Sequence, residues 1–239
     1  MGERDGDRLW TGTFERLGEA KRARVLEAAK RAFAASGFAG ANVNRIAEEA
    51  DISVGSMYKY FRTKEDLFLS LIEGYNAIIA SWIDGVFERE ASFAGRVELL
   101  LKACVESSLA DPEAVRLYIA CTTEELSRMA SKLSGSIEEV SASRYRAMIA
   151  EAQAKGEVEA GLDPGWAAFF LDDILLMTQY SVGSVYYRER LRLFLGLEGP
   201  SEREAETRPW PPEDLVPALL DLVLRALAPR RPEDGAPRG

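Results

Sequence analysis

The sequence predicts an all-α protein with a three-helix N-terminal head and a larger C-terminal helical body. Apolar residues recur every three or four positions along most of the 239 residues, and no clear alternating strand pattern is present. Helix start and stop signals, such as Asp-Pro pairs and single glycines, separate these periodic segments. With 47% apolar and 29% charged residues, the chain has the composition of a globular protein with a sizeable core.

The composition excludes several classes of site. The chain has no histidine, so Ser/His and Cys/His triads cannot form and a zinc site is disfavoured. Cys104 and Cys121, the two cysteines, lie in apolar helical segments and make no disulfide framework. No apolar run reaches the roughly 18 residues of a membrane helix, and the first residues are too charged for a signal peptide. We therefore expect a cytoplasmic protein without a cofactor, a metal or membrane contact.

The charge distribution is asymmetric. A net charge of −9 argues against a protein that coats nucleic acid without regard to sequence. Basic and acidic side chains are nearly equal in number over residues 1–70, so the acidic excess lies in the rest of the chain. A near-neutral head on an acidic body permits one face to approach phosphate groups.

The chain begins with an arm and a helix. Residues 1–18 are polar and rich in glycine, which predicts a flexible arm. Residues 19–36 place their apolar side chains on one face, as an amphipathic helix does. Gly37 follows at the position where many helices end in the left-handed conformation.

Residues 42–61 predict a helix-turn-helix. Asn42 can cap a short helix over residues 43–50, and Ser53 can cap a second helix that ends near Phe61. Two short helices joined by three or four residues are typical of this motif. The apolar residues that would hold the two helices together are Val43, Ile46, Ala47, Ala50, Ile52, Met57 and Phe61.

The outward side of this motif carries side chains that can contact DNA. Gly55 lies in the first turn of the second helix, so the N-terminus of that helix and its exposed N–H groups can approach phosphate closely. The outward side chains are Asn44, Arg45, Ser53, Ser56, Tyr58 and Lys59.

Longer helices are predicted for the rest of the chain. Thr63 and Asp66 form an acidic variant of the capping box, which begins a long fourth helix. Two Asp-Pro pairs, at residues 111–112 and 163–164, are start signals for body helices. Residues 198–212 are rich in proline and charge and predict a loop. The body helices are predicted over residues 93–108, 111–126, 132–155, 164–187 and 213–228.

Residues 24–71 resemble the TetR family of transcriptional repressors. The matching segments are VLEAAKRAF, then SGF, then NVNRIAEEADISVGSMYKYFRTKEDLF, in the family's order and spacing. The resemblance implies a homodimer that places two recognition helices in successive major grooves of double-stranded operator DNA. It also implies that a small-molecule effector bound in the body releases the DNA.

The resemblance also assigns functions to parts of the chain. The helices over residues 164–187 and 213–228 are more apolar than one inward stripe requires, so we expect them to form the dimer interface. The expected parts are a flexible arm (1–18), a DNA-binding domain (19–66), a ligand-binding and dimerisation domain (67–228) and a disordered tail (229–239).

Individual DNA contacts are implied by the matched positions. Family members use the positions of Tyr58, Lys59 and Lys64 to bind phosphates. Many members carry a basic residue after the capping serine, Ser53, whereas this chain carries Val54. That phosphate contact is therefore either missing or replaced by an apolar contact with a thymine methyl group. Contacts to bases or backbone are implied for Asn44, Arg45 and Ser56.

Candidate ligand contacts lie on the body helices. Asp172 and Asp173 are unusual in an apolar helix, because a buried carboxylate needs a partner. Asp173 is the candidate anchor for a cationic ligand; alternatively, one carboxylate faces solvent and the other pairs locally. The segment FFLDDILLMTQY also resembles half of a metal motif of helical prenyl-diphosphate enzymes, but Leu176 replaces its third aspartate, so we expect no enzyme. The candidate contacts are Tyr118, Cys121, Met148, Phe169, Asp173 and Met177. The alternative for the apolar ones is core packing, which is the commoner role of such residues.

Two functional interpretations remain open from the sequence. The first is a one-component regulator, expected to be a repressor, that binds palindromic operator DNA as a dimer and is released by a small, mainly apolar ligand. The second is a ligand-independent DNA-binding protein whose body binds a protein partner. Release of DNA by a small molecule would distinguish the two.

Overall fold

The computed structural model describes residues 8–121, 124–197 and 210–229, and it describes the backbone alone for residue 121 and residues 124–138. Within these ranges every regular element is an α-helix, as the sequence predicts. The helices are α1 (Gly12–Glu15), α2 (Glu19–Gly40), α3 (Val43–Glu49), α4 (Val54–Tyr60), α5 (Lys64–Arg89), α6 (Phe93–Ala110), α7 (Pro112–Cys121), α8 (Glu124–Ala154), α9 (Pro164–Gly183), α10 (Val185–Phe194) and α11 (Leu215–Leu227).

The chain forms two compact units. The first is built from Met1–Ile79 and Glu113–Gly135, and the second from Ala80–Pro112 and Ser136–Gly239. Helix α5 contains the boundary between residues 79 and 80, so it contributes to both units.

The core of the first unit is formed by α2 to α5. Where α2 and α3 pack, the buried residues are small: Ala28, Ala29 and Ala47 are fully buried. Small side chains let two helices approach closely. Phe33 and Phe68 meet edge to face beside them, with ring centroids 5.1 Å apart, a favourable aromatic geometry.

The predicted helix signals of the first unit are present. Gly37 interrupts the helical geometry of α2, with φ 67° and ψ 175°. The break predicted at this glycine is therefore present, but in an extended conformation of positive φ that essentially only glycine adopts, not in the left-handed helical one. Asn42 Oδ1 accepts from the amide of Asn44 at 2.8 Å at the start of α3. Thr63 Oγ1 accepts from the amide of Asp66 at 2.9 Å at the start of α5. These caps confirm the predicted helix starts.

The second unit packs α6, α9 and α11 around an aliphatic core. Leu101, Leu171 and Val223, one from each of these helices, are fully buried. The predicted Asp-Pro start of α9 is confirmed, because Asp163 Oδ1 accepts from the amides of Gly165 and Trp166 at 2.8 and 3.1 Å.

The arm differs from its prediction. A flexible segment was expected over residues 1–18, but residues 12–15 form α1 and Phe14 is only 5% exposed. The Phe14 ring lies 4.6 Å from that of Phe61, centroid to centroid, and 5.8 Å from that of Tyr60. The prediction of flexibility is wrong for residues 12–15, because burial of the Phe14 ring helps to hold this segment against α4.

The second difference concerns the helix predicted over residues 164–187. It ends at Gly183, because Ser184 is extended (φ −115°, ψ 133°), and α10 then begins at Val185. Consecutive glycine and serine residues have low helix propensity, which makes this a favourable place for a break. Residues 198–209 of the predicted loop and 230–239 of the predicted tail lie outside the described residues.

Candidate nucleic-acid interface

Helices α3 and α4 form the predicted helix-turn-helix. The amide of Ile52 donates to the carbonyl of Ala47 at 3.0 Å, which closes the turn. Asp51 has a φ of 53°, a left-handed conformation that aspartate adopts more readily than most residues. From α2, Arg24 Nε donates to the carbonyl of Ala50 at 2.9 Å. The turn is therefore held from both sides.

One side of α4 is buried and the other is exposed. Met57 and Tyr60 are buried against the core of the first unit. On the opposite side, Tyr58 is 52% exposed, Val54 is 36% exposed, and Lys59 is also exposed. The predicted outward orientation of these side chains is thus observed, while their contact with DNA stays a prediction.

The N-terminus of α4 is open. Ser53 Oγ accepts from the amide of Ser56 at 3.1 Å, so the predicted cap is present. The amides of Val54 and Gly55 come before Ser56, the first amide that donates to a carbonyl of this helix turn, so they have no carbonyl partner within the helix. A Cβ built on Gly55 would have Ser53 Oγ as its nearest atom, at 3.9 Å, so nothing crowds this turn. The arrangement suits the approach of a phosphate group.

Helix α3 adds two exposed polar side chains, Asn44 and Arg45. Within the described residues, the Arg45 guanidinium forms no hydrogen bond or ion pair. Arg31, by contrast, lies 3.7 Å from a carboxylate oxygen of Glu49. All five N–H donors of the Arg45 guanidinium are therefore available to an external partner.

Lys64 is half-buried and already has partners within the first unit. Its Nζ donates to the carbonyls of Ala39 and Ala41, each at 3.2 Å, and lies 4.7 Å from the centroid of the Phe38 ring. Since an ammonium group has three N–H donors, one remains for the predicted phosphate contact. Lys64 thus closes the C-terminal end of α2 as well as being a candidate DNA contact.

The N-terminal arm contacts the C-terminal end of α4, which the sequence analysis did not predict. Thr11 Oγ1 donates to the carbonyl of Lys59 at 2.6 Å, and the Thr11 amide donates to the carbonyl of Tyr60 at 2.9 Å. The last carbonyls of a helix lack intrahelical partners, so Thr11 supplies donors that α4 cannot supply itself. The apolar residues of this otherwise polar segment, Leu9, Trp10, Phe14 and Leu17, were the signal that could have indicated this contact.

Residues on both sides of Thr11 extend the contact. Arg8 Nη1 and Trp10 Nε1 both donate to Glu15 Oε1, at 3.1 and 3.2 Å. The Arg62 guanidinium, just after α4, donates to the carbonyl of Arg8. The arm therefore lies across the end of the candidate recognition helix and is joined to the residues that follow it.

The predicted carboxylate anchor for a ligand requires a correction. Asp173 is exposed on α9, so its prediction as a buried anchor is wrong. Asp172 is half-buried instead and lies near Cys104 and Tyr145: burial raises the pKa of both groups, and the charge of Asp172 raises it further. Phe169, also predicted to contact ligand, is 57% exposed. The helical register places Asp173 and Phe169 together on the outer side, since they are four residues apart.

The other predicted ligand contacts have different environments. Met148 is fully buried and Met177 half-buried in the second unit. Tyr118 is half-buried and belongs to the first unit. The side chain of Cys121 lies outside the described residues. Their role in ligand binding stays a prediction.

A buried polar cluster in the second unit was not predicted from the sequence. Gln179 Nε2 donates to Cys104 Sγ at 3.6 Å. Burial raises the pKa of the Cys104 thiol to about 12, with a smaller contribution from Asp172, so the thiol stays protonated. Burial also raises the pKa of Tyr145. One turn after Cys104, the Ser108 hydroxyl is buried without a hydrogen-bond partner. Polar residues spaced by four in an apolar helix were the available signal.

The first unit contains a further buried polar group, on α5. Both the Nδ2 and the Oδ1 atoms of Asn76 are buried and have no hydrogen-bond partner. Most buried amides have partners, so an unpaired one favours a site that a polar ligand or a water molecule completes.

Neither a metal-binding cluster nor a membrane-spanning helix is present in the part of the chain that the structure describes. No three or more cysteine, aspartate or glutamate side chains of the described residues are arranged to hold a metal ion. None of the described helices combines the length and the apolar character that a membrane crossing needs.

Sequence comparison identifies relatives of the N-terminal region. Residues 25–71 match the family model described as bacterial regulatory proteins, tetR family. The HTH-type transcriptional repressor SCO4008 of Streptomyces coelicolor is 33% identical over 104 residues, which are 39% of this chain and 54% of that protein. The HTH-type transcriptional repressor AcnR of Corynebacterium diphtheriae is 43% identical over 51 residues, 21% of this chain and 27% of that protein. The chain thus spans about half or less of the length of these curated relatives.

Structural comparison extends the likeness to most of the chain at the level of the fold. The FadR regulator of Bacillus subtilis in complex with stearoyl-CoA has a TM-score of 0.65 and 16% identity, with 85% of this chain and 98% of that chain covered. The ketosteroid regulator KstR2 of Mycobacterium tuberculosis has a TM-score of 0.58 and 19% identity, with 90% and 98% covered. The relatives and the fold neighbours are transcription regulators, not enzymes. Residues 25–71 therefore carry the helix-turn-helix and the sequence pattern of the tetR family of bacterial regulatory proteins, and the chain shares the all-α fold of solved regulators of that family.

Proposed function

We propose that this protein is a homodimeric transcriptional repressor that binds palindromic operator DNA through α3 and α4 and releases it when a small molecule binds. The observation that carries the proposal is the open face of α4, where an uncrowded helix N-terminus adjoins the exposed side chains of Tyr58 and Lys59. Helix N–H groups and an exposed ammonium group are both donors that bind phosphate oxygens.

The contacts divide by chemistry. Tyr58 and Lys59 bind phosphates. Lys64 donates to phosphate with its third N–H, since its other two donate to the carbonyls of Ala39 and Ala41. The exposed Arg45 is suited to guanine, since a guanidinium matches the two acceptors of that base. Val54 offers an exposed apolar surface to a thymine methyl group. The remaining polar contacts to bases or backbone are assigned to Asn44, Ser53 and Ser56.

The dimer interface is assigned to the outer faces of α9 and α11. Trp166 is 74% exposed, Phe169 57% and, on α11, Leu222 60%. Aromatic and leucine side chains at this exposure are costly in a monomer and are typical of obligate interfaces. A two-fold axis would pair each face with its own copy.

The effector is assigned to the helical interior, which is mainly apolar. The fold neighbour FadR was solved in complex with stearoyl-CoA, which supports a body that holds an apolar ligand. Within the second unit, the unpaired and buried Ser108 hydroxyl is a candidate polar anchor. An effector releases DNA only if it binds the released conformation better than the DNA-bound one.

A direct experiment is selection of binding sites from random DNA with the full chain, followed by fluorescence anisotropy. We expect enrichment of a palindrome with half-sites about one helical turn apart, or a multiple of it. The double variant Tyr58→Phe/Lys59→Gln should bind at least ~10-fold more weakly. Its salt slope should fall by about one unit for each phosphate that the variant no longer neutralises.

The matched control is Lys102→Gln, which neutralises an exposed lysine on α6, outside the interface. Equally weakened binding by the control and the double variant would mean that net charge, not the α4 face, governs binding. Selection that enriches no palindrome would contradict the proposal as a whole.

A further inference from the structure

Helix α10, which is not part of the candidate DNA interface, carries two arginines that lie against one indole ring. The guanidinium carbons of Arg188 and Arg192 are 5.8 and 5.5 Å from the centroid of the Trp210 ring. Each cation is attracted to the ring face, but two like charges beside one ring also repel each other. The arrangement therefore needs a negative charge nearby.

The described residues supply little of that charge. Arg192 Nη1 lies 3.6 Å from Glu189 Oε1, too far for a good hydrogen bond. The Arg192 side chain is 11% exposed, whereas that of Glu189 is 58% exposed and its charge is largely screened by solvent. Arg188 Nη2 makes a long contact of 3.4 Å with the carbonyl of Val182, which carries no charge.

Two N–H donors in the same cluster have no acceptor. Arg188 Nε and Trp210 Nε1 are both buried and without a hydrogen-bond partner. Nearly all buried N–H groups in proteins are paired, so two unpaired donors beside two under-compensated cations are a strong departure from the usual pattern. An anion with oxygen acceptors would supply both the missing charge and the missing acceptor atoms.

We propose that Arg188, Arg192 and Trp210 form a binding site for an oxyanion, either a carboxylate or a phosphate group of a small molecule. The planar guanidinium matches both groups through paired N–H donors, and the indole N–H adds a third, neutral donor. Arg190 is excluded from the site, because it is exposed and its guanidinium lies against Phe194, at 5.1 Å. The site is independent of the DNA contacts proposed above.

The test measures binding of inorganic phosphate and of acetate to the full chain, with ionic strength held constant by sodium chloride. Tryptophan fluorescence and the thermal unfolding midpoint should both change with saturable dependence on one or both anions. Stronger binding of phosphate than of acetate at equal charge would assign the site to phosphoryl groups, and the reverse order would assign it to carboxylates.

Variants locate the site. Arg188→Gln should weaken anion binding at least ~10-fold, and Trp210→Phe, which keeps the ring but removes the N–H, should weaken it several-fold. Arg190→Gln is the matched control on the same helix and should bind as the wild type does. Circular dichroism checks folding, and if Arg188→Gln does not fold, Trp210→Phe carries the test.

Two results would overturn the proposal. The first is equal anion binding by the wild type, Arg188→Gln and Trp210→Phe. The second is the absence of saturable binding of either anion by the wild type.

Discussion

At the scale of single residues, the two lysines of the candidate interface differ in what they already contact. Lys59 is exposed on α4, whereas Lys64 donates to two backbone carbonyls of the α2 C-terminal region and lies over a phenylalanine ring. The resemblance to the family treats both as phosphate ligands. The structure adds a stabilising role for Lys64 that Lys59 does not have.

We therefore expect Lys64→Met to lower the free energy of unfolding by about 1 kcal/mol, because it removes two charge-assisted hydrogen bonds from a half-exposed group. Lys59→Met should leave the free energy of unfolding within about 0.5 kcal/mol of the wild-type value. Urea denaturation of the two variants measures the difference. Equal stability of both would mean that the Lys64 hydrogen bonds contribute nothing.

A second residue-scale prediction concerns Glu151 in the second unit. Hydrogen bonds from Arg96 Nη1 at 2.7 Å and Lys155 Nζ at 2.6 Å lower the pKa of Glu151 to about 2. Since the folded protein holds this carboxylate charged, its contribution to stability is present above its ordinary pKa of 4.5 and is lost as the pH falls toward 2.

Glu151→Gln should consequently be less stable than the wild type at pH 6, and the gap should close between pH 4.5 and pH 2. Urea midpoints measured across this range test the prediction. Glu106→Gln, which changes an exposed glutamate on α6, is the control and should show no such closing gap. A gap for Glu151→Gln that is independent of pH would contradict the ion-pair explanation.

At the scale of elements, the sequence could predict what local signals determine. The Asn42, Ser53 and Asp163 side chains each accept from an amide two or three residues further along the chain. The starts of α3, α4 and α9 can therefore be predicted from the local sequence alone. The inward and outward faces of α4 follow equally from helical spacing. These signals were enough to locate the candidate DNA interface.

Features that depend on distant contacts could not be predicted. Phe14 is ordered by Tyr60 and Phe61, which lie more than forty residues away in sequence. The choice of Asp172 over Asp173 as the inward carboxylate depends on the rotation of α9 against α6 and α8, which a uniformly apolar helix does not specify. The sequence does not determine which side chains of the body helices contact a ligand, because it does not specify the rotation of these helices either.

The arm gives the element-scale prediction. Thr11→Val keeps the shape of the side chain but removes the hydroxyl that donates to the Lys59 carbonyl. Because that carbonyl belongs to the last turn of the candidate recognition helix, removal of the donor should loosen this turn and weaken operator binding several-fold. The free energy of unfolding should fall by about 1 kcal/mol.

Phe14→Ala should have a larger effect on stability, about 3 kcal/mol, because it also opens a cavity against Phe61. Thr13→Val is the control for Thr11→Val, since it makes the same chemical change two residues further along the chain, within α1, and Thr13 is exposed. If Thr11→Val and Thr13→Val bind operator equally well, the arm does not position α4.

At the scale of the whole molecule, the proposed dimer joins two DNA-binding heads. In a dimer, binding of the first head raises the effective concentration of the second, which can increase affinity by a factor of about 100 to 10,000 without any new contact. The exposed apolar residues of α9 and α11 are the candidate means of that joining. Their replacement should affect palindromic and single half-sites differently.

The double variant Phe169→Glu/Leu222→Glu places carboxylates on both helices of the proposed interface without touching the protomer core, since both side chains are more than half exposed. Burying unpaired carboxylates at a symmetric contact is strongly unfavourable, so sedimentation equilibrium should show a monomer at micromolar concentration. Affinity for the palindrome should fall at least ~100-fold, while affinity for an isolated half-site should stay as in the wild type, because the α4 face is unchanged.

Leu109→Glu, which makes the same change at a 52% exposed leucine on α6, should remain dimeric. A double variant that still sediments as a dimer would place the interface elsewhere. One that loses half-site affinity as well would show that the damage reaches the DNA-binding head, so only the combination of monomer, weakened palindrome and intact half-site supports dimerisation through α9 and α11.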